Sequence, residues 1–467
     1  MKVDKSVFRE YDIRGIWNKT INTDFAFGLG IAFAKYLKDK LNISKGKVSV
    51  GYDARSSSVE ILKALSKGLN CENITVLNIG MVPTPVQYFS LFNLDVDGGI
   101  MITASHNPSE YNGFKLSIKT NTIFGSQIQE IYEIMKELEI DENCEAEELM
   151  EEVDILSKYK EFMMIQFGYL KDIEEKPKVV LDAGNGVAGF VAYDIFTSLG
   201  YKTKGLYIEP DGSFPNHHPD PTVEKNLVDL KKVLAEEGYD IGIGYDGDGD
   251  RIGVVLKNGD ILWGDQLLLL LAEDLAKTQK GVKVVADVKC SDAIFKKMEE
   301  AGCNPIMYKT GHSLIKAKMK EENAPLAGEM SGHIFMGDRY FGYDDAIYVS
   351  LRLVEIITRE KLDLIEWKNN LPKVYNTPEI RIDCPEDKKQ KVIESIKAYL
   401  KENGDKLGIK QINTIDGVRF KTDYGFGLLR ASNTQPVLVL RFEADTEENL
   451  NRIKDTILKQ VEKFINE

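Results

Sequence analysis

Three times along this chain a short apolar run ends on an aspartate and opens into a loop, and this repeat limits the fold more than any other feature. Val48-Ser49-Val50-Gly51 runs into Tyr52-Asp53-Ala54-Arg55, Val179-Val180-Leu181 into Asp182-Ala183-Gly184, and Val284-Val285-Ala286 into Asp287-Val288-Lys289. Runs of this length, rich in Val, read as buried strands. Helical patterns lie between them. Thr23 caps a helix through about residue 37, another covers about 58–67, and a short strand near Val76-Leu77 precedes the break at Pro83-Thr84-Pro85. Such alternation implies a mainly parallel sheet covered on both faces. Each unit adds a second apolar run ending in a special loop: 100–102 before Ser105, 241–244 before Asp246, and 325–327 before Gly328. Ligand crevices in such sheets lie beyond the carboxyl ends of the strands, so the three loops are placed to converge on one cleft. After Trp367 the pattern changes to strands near 379–383, 413–421 and 437–443, with long helices around 386–402 and 446–465. The expected fold is α/β: three similar mixed domains at 1–152, 153–256 and 257–370, then a C-terminal α+β domain at 371–467. A length of 467 residues suits three or four domains. The Glu/Asp-rich stretch 137–152 reads as a solvated helix and linker.

Charge and composition exclude several classes. A formal charge of −14 argues against a nucleic-acid or membrane-surface partner, which needs a basic field. The five cysteines, Cys71, Cys144, Cys290, Cys303 and Cys384, are scattered without a C-x-x-C pair. They suggest a reducing compartment, with neither a disulfide framework nor a structural zinc site. The N-terminus lacks an apolar signal region, and the run 267–272 is far short of a membrane span. A soluble cytoplasmic protein is expected.

Four motifs carry chemistry. Thr103-Ala104-Ser105-His106-Asn107-Pro108 follows a buried strand, and its Asn-Pro end forces a tight loop able to present the Ser105 hydroxyl. The G-x-S-x-G elbow is missing, which counts against an acyl-transfer serine. Lys115, beyond a turn at Asn112-Gly113, can return a positive charge to the same place. Asp246-Gly247-Asp248-Gly249-Asp250-Arg251 sets three carboxylates at alternate positions on a backbone that glycine lets curl, a pattern suited to one divalent cation. An EF-hand would need Gly and Glu where Arg251 and Lys257 stand. A phosphate on Ser105 would supply a fourth oxygen, with Arg251 neutralising it. Gly328-Glu329-Met330-Ser331-Gly332-His333 offers Glu and Ser to a hydroxyl-rich ligand. Arg430-Ala431-Ser432-Asn433-Thr434-Gln435-Pro436 joins an Arg fork, two hydroxyls and an amide into a plausible phosphate cradle.

Together, in this order and at these separations, the motifs resemble the α-D-phosphohexomutase superfamily over essentially the whole chain. The resemblance is strongest to the bacterial phosphomannomutase/phosphoglucomutase group, through F-R-E-Y-D-I-R-G at 8–15, 416–419, K-T-G-H-S-L-I-K at 309–316 and R-Y-F-G-Y-D-D at 339–345. Phosphoglucosamine mutases, the alternative within the superfamily, usually show Gln where Met330 stands. The resemblance implies four domains in a heart shape around a central cleft. Ser105, resting as a phosphoserine, would exchange its phosphoryl group with a mannose or glucose monophosphate through a hexose 1,6-bisphosphate. Asp246, Asp248 and Asp250 would hold Mg²⁺ together with Ser105, and Arg251 and Lys115 would flank the transferring group. His106 and Asn107 would shape the loop. Glu329 and Ser331 would bind sugar hydroxyls, and Arg430, Ser432, Asn433 and Thr434 the non-reacting phosphate. Tyr11, Arg14, Lys289, His312 and His333 would line the cleft, with Lys115 and His333 as candidates for general acid and base. Glucose or mannose 1,6-bisphosphate would act as activator. The partners expected are small hexose phosphates, acted on by a monomer, with no nucleic acid and no membrane.

Other readings compete. A catalytically dead sugar-phosphate module would lack Ser105 or an aspartate, and all four are present. A Mg²⁺-dependent phosphatase would use the same serine and metal but has no use for a separate cradle at 430–436. His217-His218, set among prolines, reads as a rigid loop at a domain edge rather than a metal site, because the aspartate loop already accounts for a hard cation. Lys289 could be a solvated residue after a strand.

Overall fold

The structure, a computed structural model, describes residues 3–139, 144, 149–432 and 436–467. By contacts the chain forms two compact units, Met1–Gly264 with Ser331–Lys368, and Asp265–Met330 with Asn369–Glu467. The expected α/β class, with an α+β C-terminal part, is what the described residues show.

In the first unit one sheet runs Ile13–Ile16, Tyr111–Ile118, Gly98–Ile102, Gly46–Tyr52, Ile74–Met81, Met150–Glu152. Gly46–Tyr52 is parallel to both neighbours, and Tyr111–Ile118 returns antiparallel with Lys115 opposite Met101. That register carries Lys115 to the sheet position beside the strand that delivers Ser105. Helices Thr23–Leu41 and Ser58–Cys71 cover the sheet and share its core of Phe33, Leu37, Leu65, Val48 and Ile100. The first helix is capped by Asn22, whose side chain accepts from the Phe25 N–H, and not by Thr23 as its sequence position suggests. A second sheet places Val179–Asp182 and Ile241–Tyr245 parallel, with Ile252–Leu256 antiparallel to the latter. The residues between those last two strands are the aspartate loop.

In the second unit Lys283–Asp287 lies parallel to Asn304–Tyr308 and Leu326–Gly328. An antiparallel sheet follows, in which Gly425–Ala431 pairs with Val437–Ala444 and Val418–Thr422. Helices Glu386–Glu402 and Glu447–Asn466 share its core through Val392, Ile396, Ile453 and Ile457. Residues 413–421, read from sequence as one strand, are two: Ile409–Asn413 and Val418–Thr422, joined by a turn in which Gly417 has φ 73°. Strand Gly425–Ala431 was hidden by its glycines and carries Arg430 at its end.

The cysteines need a correction. Cys71, at the end of its helix, forms a disulfide with Cys144, while Cys290, Cys303 and Cys384 are free and buried. The pair is separated by 73 residues, so no local spacing announces it. The edge strand Met150–Glu152, paired with Ile74–Met81, brings the two segments together.

Helices Thr23–Leu41 and Ser58–Cys71 touch backbone to backbone. A Cβ on Gly68 would fall 2.1 Å from the Phe27 carbonyl oxygen, and one on Gly30 would fall 2.4 Å from that of Leu65. Alanine at 68 gains about 1 kcal/mol in helix propensity, but the clash forces the helices apart. Against an overpacking cost of about 2–3 kcal/mol, Gly68→Ala is therefore expected to destabilise the protein by about 1–2 kcal/mol net, measured as a lowered urea midpoint; an unchanged or raised midpoint would refute the close contact.

Candidate active site

Ser105 sits where the chain cannot relax. Its φ of 51° is left-handed, a conformation a serine adopts only when its surroundings impose it. Arg55 is what imposes it. This buried guanidinium donates from one terminal nitrogen to the carbonyl oxygens of Pro108 (2.6 Å) and Tyr111 (2.9 Å), and from the other to those of Ser105 (2.9 Å) and Asn107 (2.7 Å). Its Nε bonds Asp53 Oδ2 at 3.1 Å, an oxygen that also accepts from Thr103 Oγ1 at 2.8 Å. Thr103 in turn accepts from the Ser105 N–H. Four carbonyls between Ser105 and Tyr111 are thus gathered on one charge whose counter-charge closes the strand Gly46–Tyr52.

The Ser105 hydroxyl donates to Asp246 Oδ2 at 2.9 Å and lies 3.1 Å from His106 Nδ1. Burial, then the positive charges of Arg251 and Arg14, hold the His106 pKa well below its ordinary value, so its imidazole is neutral. Arg14 donates to Asn107 Oδ1 at 2.6 Å and pairs with Asp12. Tyr11 is half-buried just before strand Ile13–Ile16.

The aspartate loop is wound on its first member. Asp246 Oδ1 accepts from the N–H groups of Gly249, Asp250 and Arg251, each at 3.1 Å, and its Oδ2 accepts from Arg251 Nε at 3.1 Å. Asp248 Oδ2 accepts from Thr84 Oγ1 at 2.6 Å and from Lys115 Nζ at 2.7 Å, and Asp250 Oδ2 from the same ammonium at 2.5 Å. The glycines have a further task besides curling the chain. A Cβ on Gly247 would meet the Ser105 carbonyl oxygen at 2.4 Å, so only glycine lets the aspartate loop seat on the serine loop.

All three aspartates are fully buried, and their ligand oxygens lie within 4.8 Å of one another. Burial, then Asp250 and Asp248, push Asp246 up to about 7 against the pull of Arg251 and Lys115. Burial alone would lower the Lys115 pKa, but Asp248 and Asp250 outweigh it and keep the ammonium charged. Asp248 Oδ1 and Asp250 Oδ1 are buried without a hydrogen bond among the described residues. Converging carboxylate oxygens with unused lone pairs are the donor set of a hard divalent cation.

His333 reaches this loop through a bridge to Arg251 and through the Ile252 N–H, which donates to the Gly332 carbonyl at 3.1 Å. Its Nδ1 lies 2.9 Å from Asp344 Oδ2 and 3.6 Å from Asp250 Oδ1. Ser331 is half-buried beside it.

The second unit gathers another set. Glu329 Oε1 accepts from the Gly311 N–H at 2.5 Å, next to His312 at the start of helix His312–Glu322. Thr310 donates its hydroxyl to Asp287 Oδ2 (3.0 Å) and its N–H to Asp416 Oδ2 (3.1 Å), the oxygen that also takes Arg430 Nε (2.9 Å). Lys289 Nζ lies 3.9 Å from Asp287 and 3.7 Å from Glu379, an ion-paired position rather than a solvated one. Ser432 is buried and its carbonyl accepts from Lys389. Asn433 and Thr434 lie outside the described residues.

Residues 5–141, 157–259 and 263–375 match the descriptions "Phosphoglucomutase/phosphomannomutase, alpha/beta/alpha domain" I, II and III, and 379–460 match the "C-terminal domain" of the same family. The chain belongs to the phosphoglucomutase/phosphomannomutase family. A protein named phosphomannomutase/phosphoglucomutase from Pseudomonas aeruginosa is 43% identical over 456 residues, covering 98% of this chain and 95% of that one. A phosphoglucomutase from Neisseria gonorrhoeae is 40% identical with 98% and 97% covered. The crystal structure of a phosphoglucomutase/phosphomannomutase family protein from Burkholderia thailandensis superposes with a TM-score of 0.89 at 39% identity, covering 99% and 98%.

Among the groups that organise this phosphohexomutase site, sequence reading missed Arg55, Asp53, Thr84 and Asp344. The first two close the strand of the opening repeat, which was itself a signal. Removing the Arg55 charge takes one donor from each of four carbonyls and leaves the Asp53 charge uncompensated. Arg55→Met is expected to cost about 3–5 kcal/mol of stability, read by denaturant titration, and to abolish activity even where folded protein is recovered.

Proposed function

We propose that this phosphohexomutase moves a phosphoryl group between the 1- and 6-positions of mannose or glucose phosphates, with Ser105 as the covalent carrier. The observation carrying this reading is a single buried hydroxyl, held in a strained loop and bonded to the first of three convergent aspartates. The names of full-length relatives support the substrate class.

Asp246, Asp248 and Asp250 would hold Mg²⁺, with an oxygen on Ser105 as a further ligand. Bound there, the ion would polarise the phosphoryl group and offset its charge. The chain's own groups divide the remaining work. Lys115, kept protonated by Asp248 and Asp250, suits electrostatic support or proton donation and not proton abstraction. His333, with Nδ1 turned to Asp344, is the better candidate base. Arg251 stands beside the carrier through Asp246. Arg14, His106 and Asn107 brace the serine loop, and Tyr11, Lys289 and His312 are assigned to the substrate. Glu329 and Ser331 are assigned to sugar hydroxyls, and Arg430, Ser432, Asn433 and Thr434 to the phosphate that is not reacting. Contacts to O3 and O4 alone are blind to the configuration at O2, so both glucose and mannose phosphates are expected to turn over. The four domains are assigned to 1–152, 153–256, 257–370 and 371–467. A monomer in the cytoplasm, activated by glucose or mannose 1,6-bisphosphate, completes the reading.

Intact-mass analysis of the fresh enzyme should show one phosphate adduct, lost in Ser105→Ala together with nearly all turnover. An active enzyme with no adduct would refute the carrier. Chelation by EDTA should abolish activity and Mg²⁺ restore it; equal rates in both would remove the metal. Arg430→Ala removes a charge-assisted phosphate bond and should slow mutase flux by about tenfold to a hundredfold. Released inorganic phosphate that matched substrate consumed would favour the phosphatase instead.

A further inference from the structure

The histidine pair set among prolines, Pro215-Asn216-His217-His218-Pro219-Asp220-Pro221, has no part in the reading above. The structure fastens it to the strands around the aspartate loop. Pro221 packs on the strand that follows the aspartate loop, so closely that a Cβ on Gly253 would meet its Cβ at 2.7 Å. His217 fastens the segment. Its Nε2 lies 3.0 Å from both oxygens of Asp182, the aspartate that closes strand Val179–Asp182, and its Nδ1 lies 3.0 Å from the His218 carbonyl oxygen. Asp182 outweighs partial burial and holds the His217 pKa up, which favours donation from both nitrogens.

Asp220 is fixed by its own turn. Its Oδ1 accepts from the Thr222 N–H (3.1 Å) and hydroxyl (2.6 Å), and its carbonyl oxygen accepts from Asn226 at 2.9 Å. So held, Oδ1 lies 3.5 Å from a terminal nitrogen of Arg251. The three nitrogens of that guanidinium then divide. Nε is bonded to Asp246, one terminal nitrogen faces Asp220, and the other is buried without a hydrogen bond among the described residues. Asp246 is a shared partner, because the same oxygen accepts from Ser105 and belongs to the carboxylate cluster. Asp220 touches neither the serine nor that cluster in any contact described. A flexible arginine held by Asp246 alone would be free to swing whenever the shared oxygen is engaged elsewhere.

We propose that Asp220 is the positioning residue that sets the Arg251 guanidinium for phosphoryl transfer, and that the His217–Asp182 pair anchors the segment carrying it. The inference rests on Ser105 as the phosphoryl carrier. Asp220 touches no substrate and acts through Arg251, which meets charge that develops on the transferring group. Its loss should therefore appear in kcat and not in KM.

The test is a double-mutant cycle in the full-length, Mg²⁺-loaded enzyme with glucose 1-phosphate. Asp220→Asn keeps the side-chain shape and an oxygen for Thr222 but removes the charge. It is expected to lower kcat by about tenfold or more, with KM within about twofold in protein that remains folded, any drop in melting temperature from the lost ion pair being recorded separately. In an Arg251→Ala background the same substitution should cost nothing further, because the group it positions is gone. Thr222→Val, which frees the carboxylate without removing it, guards against misfolding of the first variant. It should show a smaller kcat loss that also vanishes in that background. Losses that multiply, or an Asp220→Asn enzyme with wild-type kcat, would overturn the proposal. The phosphate adduct on Ser105 is scored in the same preparations. Its absence from active wild-type enzyme would overturn the carrier and this inference with it, whereas its presence without Asp220–Arg251 coupling would overturn this inference alone.

Discussion

The ion pair between Asp53 and Arg55 is the interaction on which the rest of the site depends. A loop that must present a serine at positive φ leaves several carbonyls turned inward with no ladder to join, and buried carbonyls need partners. A lysine could satisfy few of them from one point, whereas the guanidinium spreads its donors in a rigid fork. Arg55 uses that fork on four carbonyls and its Nε on Asp53. Without it the hydroxyl of Ser105 would have no fixed relation to Asp246.

On the other side of Ser105 the difficulty is reversed: too much negative charge in too little water. Three fully buried carboxylates would repel one another strongly in a low-dielectric interior. Lys115 bridges two of them with one charge and Arg251 leans on the third, while Thr84 fixes Asp248 through both its backbone and its hydroxyl. Two cations face three carboxylates, and Asp248 and Asp250 each keep one oxygen without a hydrogen bond among the described residues. That deficit is what suits the loop to holding a cation, which a buried salt bridge for stability alone would not require.

Much of this was legible in the residues. Short motifs are local, so the serine loop, the aspartate loop and the alternation of strand and helix could be read directly. Groups that act across long separations could not. Thr84 meets Asp248 from 164 residues away, and Arg55 meets the Ser105 loop from about fifty. Boundaries failed for local reasons. Asn22 outcompetes Thr23 as a cap, and the Asp416-Gly417 turn splits a run whose composition favours one strand. The Cys71–Cys144 bond joins a helix end to an acidic stretch, and nothing in either neighbourhood points to the other.

The repeated aspartate, which first disclosed the architecture, also explains how one architecture serves several tasks. Each copy closes a parallel strand, and each uses its carboxylate to hold a loop that carries other residues. Asp53 holds Arg55 and Thr103, and through them Ser105. Asp182 holds the Gly184 N–H and His217, and through them the segment bearing Asp220. Asp287 accepts from Thr310 and from the Met330 N–H, and so holds the loops bearing His312 and Glu329. The strand end fixes where the carboxylate sits, the carboxylate fixes the loop, and the loop is free to vary in what it presents. A carboxylate suits this position because it accepts several hydrogen bonds at once while its backbone remains in the sheet. The repeat is therefore a repeat of anchoring, and the differences in chemistry between the units lie one residue contact beyond it.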